Sequence, residues 1–167
     1  MPLFHRIYSK NAHELNTALV EGFLEHQNDE GIRKTHLFEG RYENIYLNHL
    51  QIPELSTVIA EAIALAEKVT NTTGLRVGYW FNYMPPGATT TLHTHDDDDE
   101  VLSSAYYVYV PEGSGDIILH GKKETVQLQP REGEFIMFKP DAPHEVTKNN
   151  SKEHRLSIGM NFGIDRE

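Results

Sequence analysis

The sequence predicts a mainly β domain, a sandwich or jelly roll with N-terminal helices packed on one sheet, and three features of its 167 residues lead there. The first third carries two stretches with apolar residues at three-and-four spacing, the pattern of amphipathic helices. From Leu75 onward the texture changes to short β-branched and aromatic runs broken by Gly, Pro and Asn, as antiparallel strands joined by turns read. The last run alternates. Leu156, Ile158, Met160 and Phe162 are apolar, while Arg155, Ser157, Gly159 and Asn161 between them are polar or small, so one face of that strand meets a core and the other a pocket.

Taken in order, Ser9 is a good N-cap, and Ala12, Leu15, Leu19 and Phe23 form the apolar stripe of a first helix running to about Gln27. Pro53 opens a second helix whose stripe is Leu55, Val58, Ile59, Ala62, Ile63, Ala66 and Val69, and Asn71 to Gly74 stop it. Between the helices, "HLFEGRYENIYL" reads as a hairpin turning near Glu39 and Gly40. Seven or eight strands follow in "LRVGYWFNYM", "VLSSAYYVYV", "GDIILHG", "ETVQLQ", "EFIMFK", "HEVTKN" and "RLSIGMNFG". Residues 1–167 are therefore expected to form a single domain, with 1–74 as a helical N-terminal cover and 75–163 as the jelly-roll core.

Composition narrows the partners. Fifteen basic and 25 acidic side chains leave a net charge of −10, and Asp96 to Glu100 supply five of the negatives. With no Lys/Arg stripe to offset it, that charge repels phosphate backbones and anionic lipid, so neither nucleic acid nor membrane is expected. The expected partner is a small-molecule or protein substrate, with a homodimer left open. The chain has no cysteine, so any metal must be held by nitrogen and oxygen. The opening "MPLFHRIYSK" lacks the apolar core of a signal peptide, and no stretch approaches the roughly 18 apolar residues of a membrane span, so a soluble, cytoplasmic protein is expected.

The chemistry concentrates in "HTHDDDDE", residues 93–100. In a strand, residues i and i+2 point the same way, so His93 and His95 can reach one ion from one face. The third partner is expected to be His144 in "EGEFIMFKPDAPHEV", where a Pro-bracketed turn brings a histidine back at the start of a strand. A His-x-His pair followed about fifty residues later by a single His is a recurrent pattern for non-haem iron on β-barrels, and it leaves coordination positions open. Packing alone does not call for two imidazoles on one face beside a carboxylate run. His5, His13, His26, His36, His49, His120 and His154 stand alone and read as ordinary surface or core residues. The acidic run reads mostly as a solvated loop. Two of its members stay open as ligands. Asp97 shares the face of His93 and His95, and Glu100 stands five residues after His95, a spacing at which cupin barrels place a glutamate ligand.

The segments "WFNYMPPG", "HTH", "SSAYYVYVPEGSG", "EGEFIMFKPDAPHEV" and "HRLSIGMNF", in that order, are similar to the 2-oxoglutarate and iron(II)-dependent oxygenases, specifically the prolyl-hydroxylase-like branch and a bacterial and phage group within it. The resemblance covers roughly residues 75 to 163. It implies a double-stranded β-helix, Fe(II) on His93, His95 and His144, 2-oxoglutarate as co-substrate, and a dioxygenase that hydroxylates a C–H bond. It also implies that Arg155, eleven residues past His144, clasps the distal carboxylate of 2-oxoglutarate in two parallel hydrogen bonds, with the Ser157 hydroxyl adding a third. Tyr83 and Tyr107 resemble phenols that line the co-substrate pocket, and Asn82 resembles an asparagine that precedes the metal motif. There are departures. Most of the superfamily has His-x-Asp or His-x-Glu where this chain has His93-x-His95, although the bacterial group shares His-x-His. The loop Asp96 to Leu102 is longer than in that group, and Ser104 stands where glycine is usual.

Two other classes compete with this reading. A cupin-type metal enzyme would use Gly87, His93, His95 and Glu100 as its first motif, but Gly133 and His144 fit its second motif poorly and Arg155 would be left without a purpose. A non-catalytic domain stapled by metal is the other, since fold alone does not specify activity. No pocket chemistry is legible in "THLFEGRYENIYLNHL", so the prime substrate stays open.

Overall fold

A computed structural model describes residues 2–94 and 99–164. The chain opens with a strand, β1 (Phe4–Tyr8), which the sequence reading lacked, and continues into helix α1 (Ala12–His26). That helix starts later than Ser9 because Ser9 is spent on tertiary bonds. Its N–H donates to the Gly133 carbonyl at 2.7 Å and its hydroxyl to Glu61 Oε2 at 3.3 Å. Asn11 takes the cap position without a side-chain bond.

The hairpin follows as β2 (Arg33–Phe38) and β3 (Arg41–Tyr46). Its turn falls on Glu39 and Gly40, both with positive φ (50° and 82°), the backbone that matches the twist of the flanking strands. Helix α2 (Leu55–Thr70) ends at Asn71, whose φ of 52° turns the chain so that the next N–H, that of Thr72, donates back to the Glu67 carbonyl at 3.1 Å. Eight strands complete the chain: β4 (Leu75–Met84), β5 (Thr90–His93), β6 (Glu100–Tyr109), β7 (Ile117–His120), β8 (Thr125–Leu128), β9 (Glu134–Phe138), β10 (His144–Val146) and β11 (Arg155–Ile164).

These strands make two antiparallel sheets. The larger has the order β1-β9-β6-β11-β4-β3-β2, and the smaller β5-β10-β7-β8. The N-terminal 74 residues are thus more than a helical cover, since β1, β2 and β3 extend both edges of the large sheet. Packing follows the pleat. Leu156, Ile158, Met160 and Phe162 of β11 turn toward the helices and are buried with Leu19 and Phe23 of α1 and with Leu55, Val58, Ala62 and Ala66 of α2. At about 1.5–3 kcal/mol for each large side chain, this layer is the main source of stability. The Tyr106 hydroxyl donates to Asn16 Oδ1 at 2.6 Å, tying α1 to β6. A smaller cluster of Tyr107, Ile117, Leu119, Ile136 and Phe138 lies between the two sheets. Strand β9 is covered on both faces, which is why "EFIMF" shows no alternation. Among the described residues no helix is long and apolar enough to cross a membrane.

Candidate metal centre

The small sheet sets the histidines. His93 ends β5 and pairs in register with His144, the first residue of β10, and their ring centroids stand 4.2 Å apart. Each imidazole is oriented by its own strand. His93 Nδ1 lies 2.6 Å from the Thr91 carbonyl, and His144 Nδ1 lies 3.0 Å from that of Ala142. A carbonyl oxygen only accepts, so each Nδ1 carries a proton, which in the neutral imidazole leaves the lone pair on Nε2. That is the tautomer a metal-ligating histidine needs, held by a hydrogen bond from its other ring nitrogen to a backbone carbonyl. Phe138 packs edge-on against His144 at 4.7 Å and helps keep that ring in place.

His95 and Asp97 lie outside the described residues. Glu100 opens β6 opposite Gly163 and does not line the cleft that holds the histidine pair. Among the described residues no group of three His, Cys, Asp or Glu side chains gathers to hold an ion, so the set His93, Glu100 and His144 of the cupin alternative is not brought together. The reason is position along the strand: Glu100 stands at the start of β6 opposite Gly163, and it is Ser104, Ala105 and Tyr107 further along β6 that line the cleft.

The large sheet supplies the facing wall. β11 runs between β4 and β6, so Ser157 has Asn82 on one side and Tyr107 on the other, and Gly159 lies between Trp80 and Ala105. All six line the cleft with His93 and His144. Its volume is about 190 Å³, smaller than the roughly 300–1,000 Å³ of pockets for drug-sized ligands, which suits a short diacid. A larger depression of about 720 Å³ beside Lys122, Lys123 and Lys139 lies elsewhere and contains none of these side chains.

Arg155 is the unusual member. It is only 1% exposed, and its one hydrogen bond among the described residues runs from Nη1 to the Gly115 carbonyl at 3.1 Å. Its Nε is buried with no acceptor. Burial holds its pKa below the usual arginine range, partly opposed by the Tyr107 phenol, whose ring centroid lies 5.6 Å from Cζ. Burial also pushes the Tyr107 phenol up to about 12, against the pull of Arg155. Among the described residues the buried guanidinium is bonded to one neutral carbonyl and Asp116 acts on it only from a distance, so it is poorly compensated and the arrangement calls for an anion.

One expected lining residue faces elsewhere. Tyr83 stacks on His154 at 4.4 Å and packs against Phe23 on the helix side of β4, because neighbouring residues in a strand point to opposite faces and Asn82 occupies the cleft side. Sequence reading also missed Arg41. Its guanidinium donates to Asn82 Oδ1 at 2.9 Å and to the Thr89 carbonyl at 3.1 Å, and burial, opposed by Glu43, lowers its pKa. Nothing local marks it out, since its neighbours are chosen by how β3 docks on β4.

The profile of the 2OG-Fe(II) oxygenase superfamily matches residues 79–163. No curated protein sequence matches the chain significantly. Among solved structures, a Pseudomonas putida prolyl-4-hydroxylase superposes with a TM-score of 0.77 at 18% identity, covering 96% of this chain and 92% of its own. A Trichoplax adhaerens prolyl hydroxylase in complex with a hypoxia inducible factor oxygen degradation domain peptide fragment superposes with a TM-score of 0.73 at 14% identity, covering 96% and 83%. The non-heme alpha ketoglutarate dependent carbocyclase SnoK from nogalamycin biosynthesis gives 0.78 at 15% identity, covering 97% and 79%. At these identities the structures establish a common fold.

Proposed function

The chain belongs to the 2OG-Fe(II) oxygenase superfamily, and from that premise we propose that it is a dioxygenase that hydroxylates a C–H bond of a small-molecule or protein substrate. It is an oxidoreductase, and its family uses Fe(II) and 2-oxoglutarate. His93, His95 and His144 are the residues that would hold the iron, and the Nε2 lone pairs of His93 and His144 support that assignment. With Fe(II), O2 and 2-oxoglutarate bound, the family chemistry converts 2-oxoglutarate to succinate and CO2, placing one oxygen atom in the succinate and the other in the substrate.

The single observation that carries the reading is Arg155, a buried cation in the histidine cleft with donors to spare. Its planar fork would take the distal carboxylate of 2-oxoglutarate in two charge-assisted bonds, and the Ser157 hydroxyl beside it would add a third. Tyr107 closes the same corner with a phenol that stays neutral at physiological pH and so remains a donor. Ile117, Phe138 and Val146 line the cleft with apolar surface and keep water from the reacting groups. An all-histidine set is neutral, so the iron would carry more uncompensated charge than with the usual carboxylate, which strengthens its hold on an anionic co-substrate. The Trichoplax neighbour's peptide supports a peptide substrate as one of the two classes. The test is anaerobic addition of Fe(II) and 2-oxoglutarate. A visible charge-transfer band is expected, and its absence at saturating concentrations would overturn the reading.

A further inference from the structure

The cleft extends to a wall that the iron and co-substrate assignments leave unused. It includes Glu43 of β3, which is 5% exposed and accepts hydrogen bonds from Thr91 Oγ1 at 3.0 and 3.4 Å. Among the described residues these are its hydrogen bonds, and it has no ion pair. The cation nearest in effect, Arg41, spends its donors on Asn82, Thr89 and Thr90 instead. A carboxylate removed from water is costly unless a cation or several donors face it, and one hydroxyl is a small share of that compensation. Arg155 is answered by the co-substrate's carboxylate. Glu43 feels Arg41 only at a distance, and among the described residues no cation is bonded to it.

Three neighbours favour a cationic ligand there. Thr91 links Glu43 to the metal pair, because its hydroxyl holds the Glu43 carboxylate while its carbonyl holds His93 Nδ1. A group gripped by Glu43 is therefore linked to His93 through Thr91. Trp80 lines the cleft and lies across Gly159, where an added Cβ would stand 2.4–2.6 Å from indole atoms, so the glycine keeps an aromatic wall in place. Aromatic faces and carboxylates together recognise ammonium and guanidinium groups. His36, opposite Glu43 in the hairpin between the pairs Thr35–Asn44 and Leu37–Tyr42, takes a φ of 62° and drops out of the ladder to line the same cleft. Left-handed backbone at a non-glycine residue gathers at binding sites. The net charge of −10 adds long-range attraction for cations.

We propose that the prime substrate carries a cationic nitrogen, an amine or a guanidine, that docks on the Glu43 carboxylate beside the Trp80 indole; this rests on the oxygenase reading above. The oxygen-free protein loaded with Fe(II) and 2-oxoglutarate is titrated with L-lysine, L-arginine and putrescine, with N-acetylated and C-amidated lysine and arginine, and with counterparts that carry no cationic nitrogen, namely N-acetylated and C-amidated norleucine and citrulline and 1,4-butanediol. Calorimetry and the fluorescence of Trp80, the chain's single tryptophan, report binding. A cationic compound is expected to bind at least about tenfold more tightly than its neutral counterpart, and Glu43→Gln is expected to remove that preference while the charge-transfer band persists. Tighter binding of the free compounds identifies a small molecule, and tighter binding of the capped forms a basic residue within a peptide. Equal affinities for capped lysine and capped norleucine together with equal affinities for putrescine and 1,4-butanediol, or no binding by any cation while the band forms, would overturn the proposal and leave the oxygenase reading standing. No band in the unmodified protein would remove the reading itself. Loss of the band in Glu43→Gln would make Glu43 a support for His93 through Thr91, which also overturns the proposal. These comparisons of charged with uncharged compounds need no variant, so misfolding of Glu43→Gln leaves the question decidable.

Discussion

Replacing Arg155 with methionine separates what the guanidinium does for the fold from what it does for the ligand. Among the described residues it has one hydrogen bond, to the Gly115 carbonyl, and a buried Nε with none. Exchanging a poorly compensated buried charge for an apolar side chain of similar length is neutral or stabilising by about 1–4 kcal/mol, so Arg155→Met should melt at the same temperature as the parent or higher. Binding of 2-oxoglutarate should change in the opposite direction. Two charge-assisted bonds of about 1.5 kcal/mol each, the low end of the range, sum to about 3 kcal/mol, or roughly a hundredfold in affinity. At 2-oxoglutarate about 100 times the parent's dissociation constant, the parent gains about 2.7 kcal/mol. For a chain of this size that raises the melting temperature by about 5–11 °C. The variant at the same concentration is only half saturated and gains about 0.4 kcal/mol, a shift of about 1–2 °C. Thermal melts of the Fe(II)-loaded, oxygen-free proteins with and without 2-oxoglutarate read both effects. Equal shifts in parent and variant, or a strongly destabilised ligand-free variant, would refute the reasoning. Arg155→Lys should restore part of the shift, because an ammonium supplies charge without the planar fork.

Elemental analysis should find that His93→Ala and His144→Ala each lose the metal while Asp97→Ala and Glu100→Ala keep it; full occupancy in His144→Ala would move the site elsewhere, and loss with Glu100→Ala would revive the cupin alternative. Gly159→Ala drives a methyl group into the Trp80 indole, so it should cost about 1–3 kcal/mol and shift the emission of the single tryptophan; unchanged emission and stability would contradict the packing described. Tyr106 and Tyr107 are both pushed up to about 12 by burial, from 10 in the unfolded chain. Above pH 10 the unfolded state therefore loses their protons first, so their contribution is full below about pH 10 and is lost as pH rises toward about 12, by at most about 2–3 kcal/mol each. Urea titrations across that window should show the fall, and Tyr107→Phe should lessen it; a flat profile would sink the assignment.

Much of the site was legible because its signals are local. The two-residue period of a strand sorted β11 into a core face and a pocket face before any partner strand was known, and the cleft indeed contains Arg155, Ser157 and Gly159. The same rule corrects the pairing of Asn82 with Tyr83. They are adjacent on β4 and face opposite sides, so Tyr83 joins the helix-side core. β1 escaped notice because "FHRIY" is short and without clean alternation, and its strand state depends on pairing with β9 more than a hundred residues away.

By itself the sequence determined the β-rich architecture, the spacing of His93, His95 and His144, and the polar stripe headed by Arg155, since each follows from residue type and a period of a few residues. The tertiary structure decided which of these meet. His93 faces His144 only through the register of β5 on β10, and Glu100 is kept from them by its place at the start of β6, opposite Gly163 and short of the β6 residues that line the cleft. Glu43 and Arg41 enter the neighbourhood of the site only because the hairpin docks on β4. Such contacts depend on the register and packing of segments far apart in the chain, and no window of neighbouring residues encodes them.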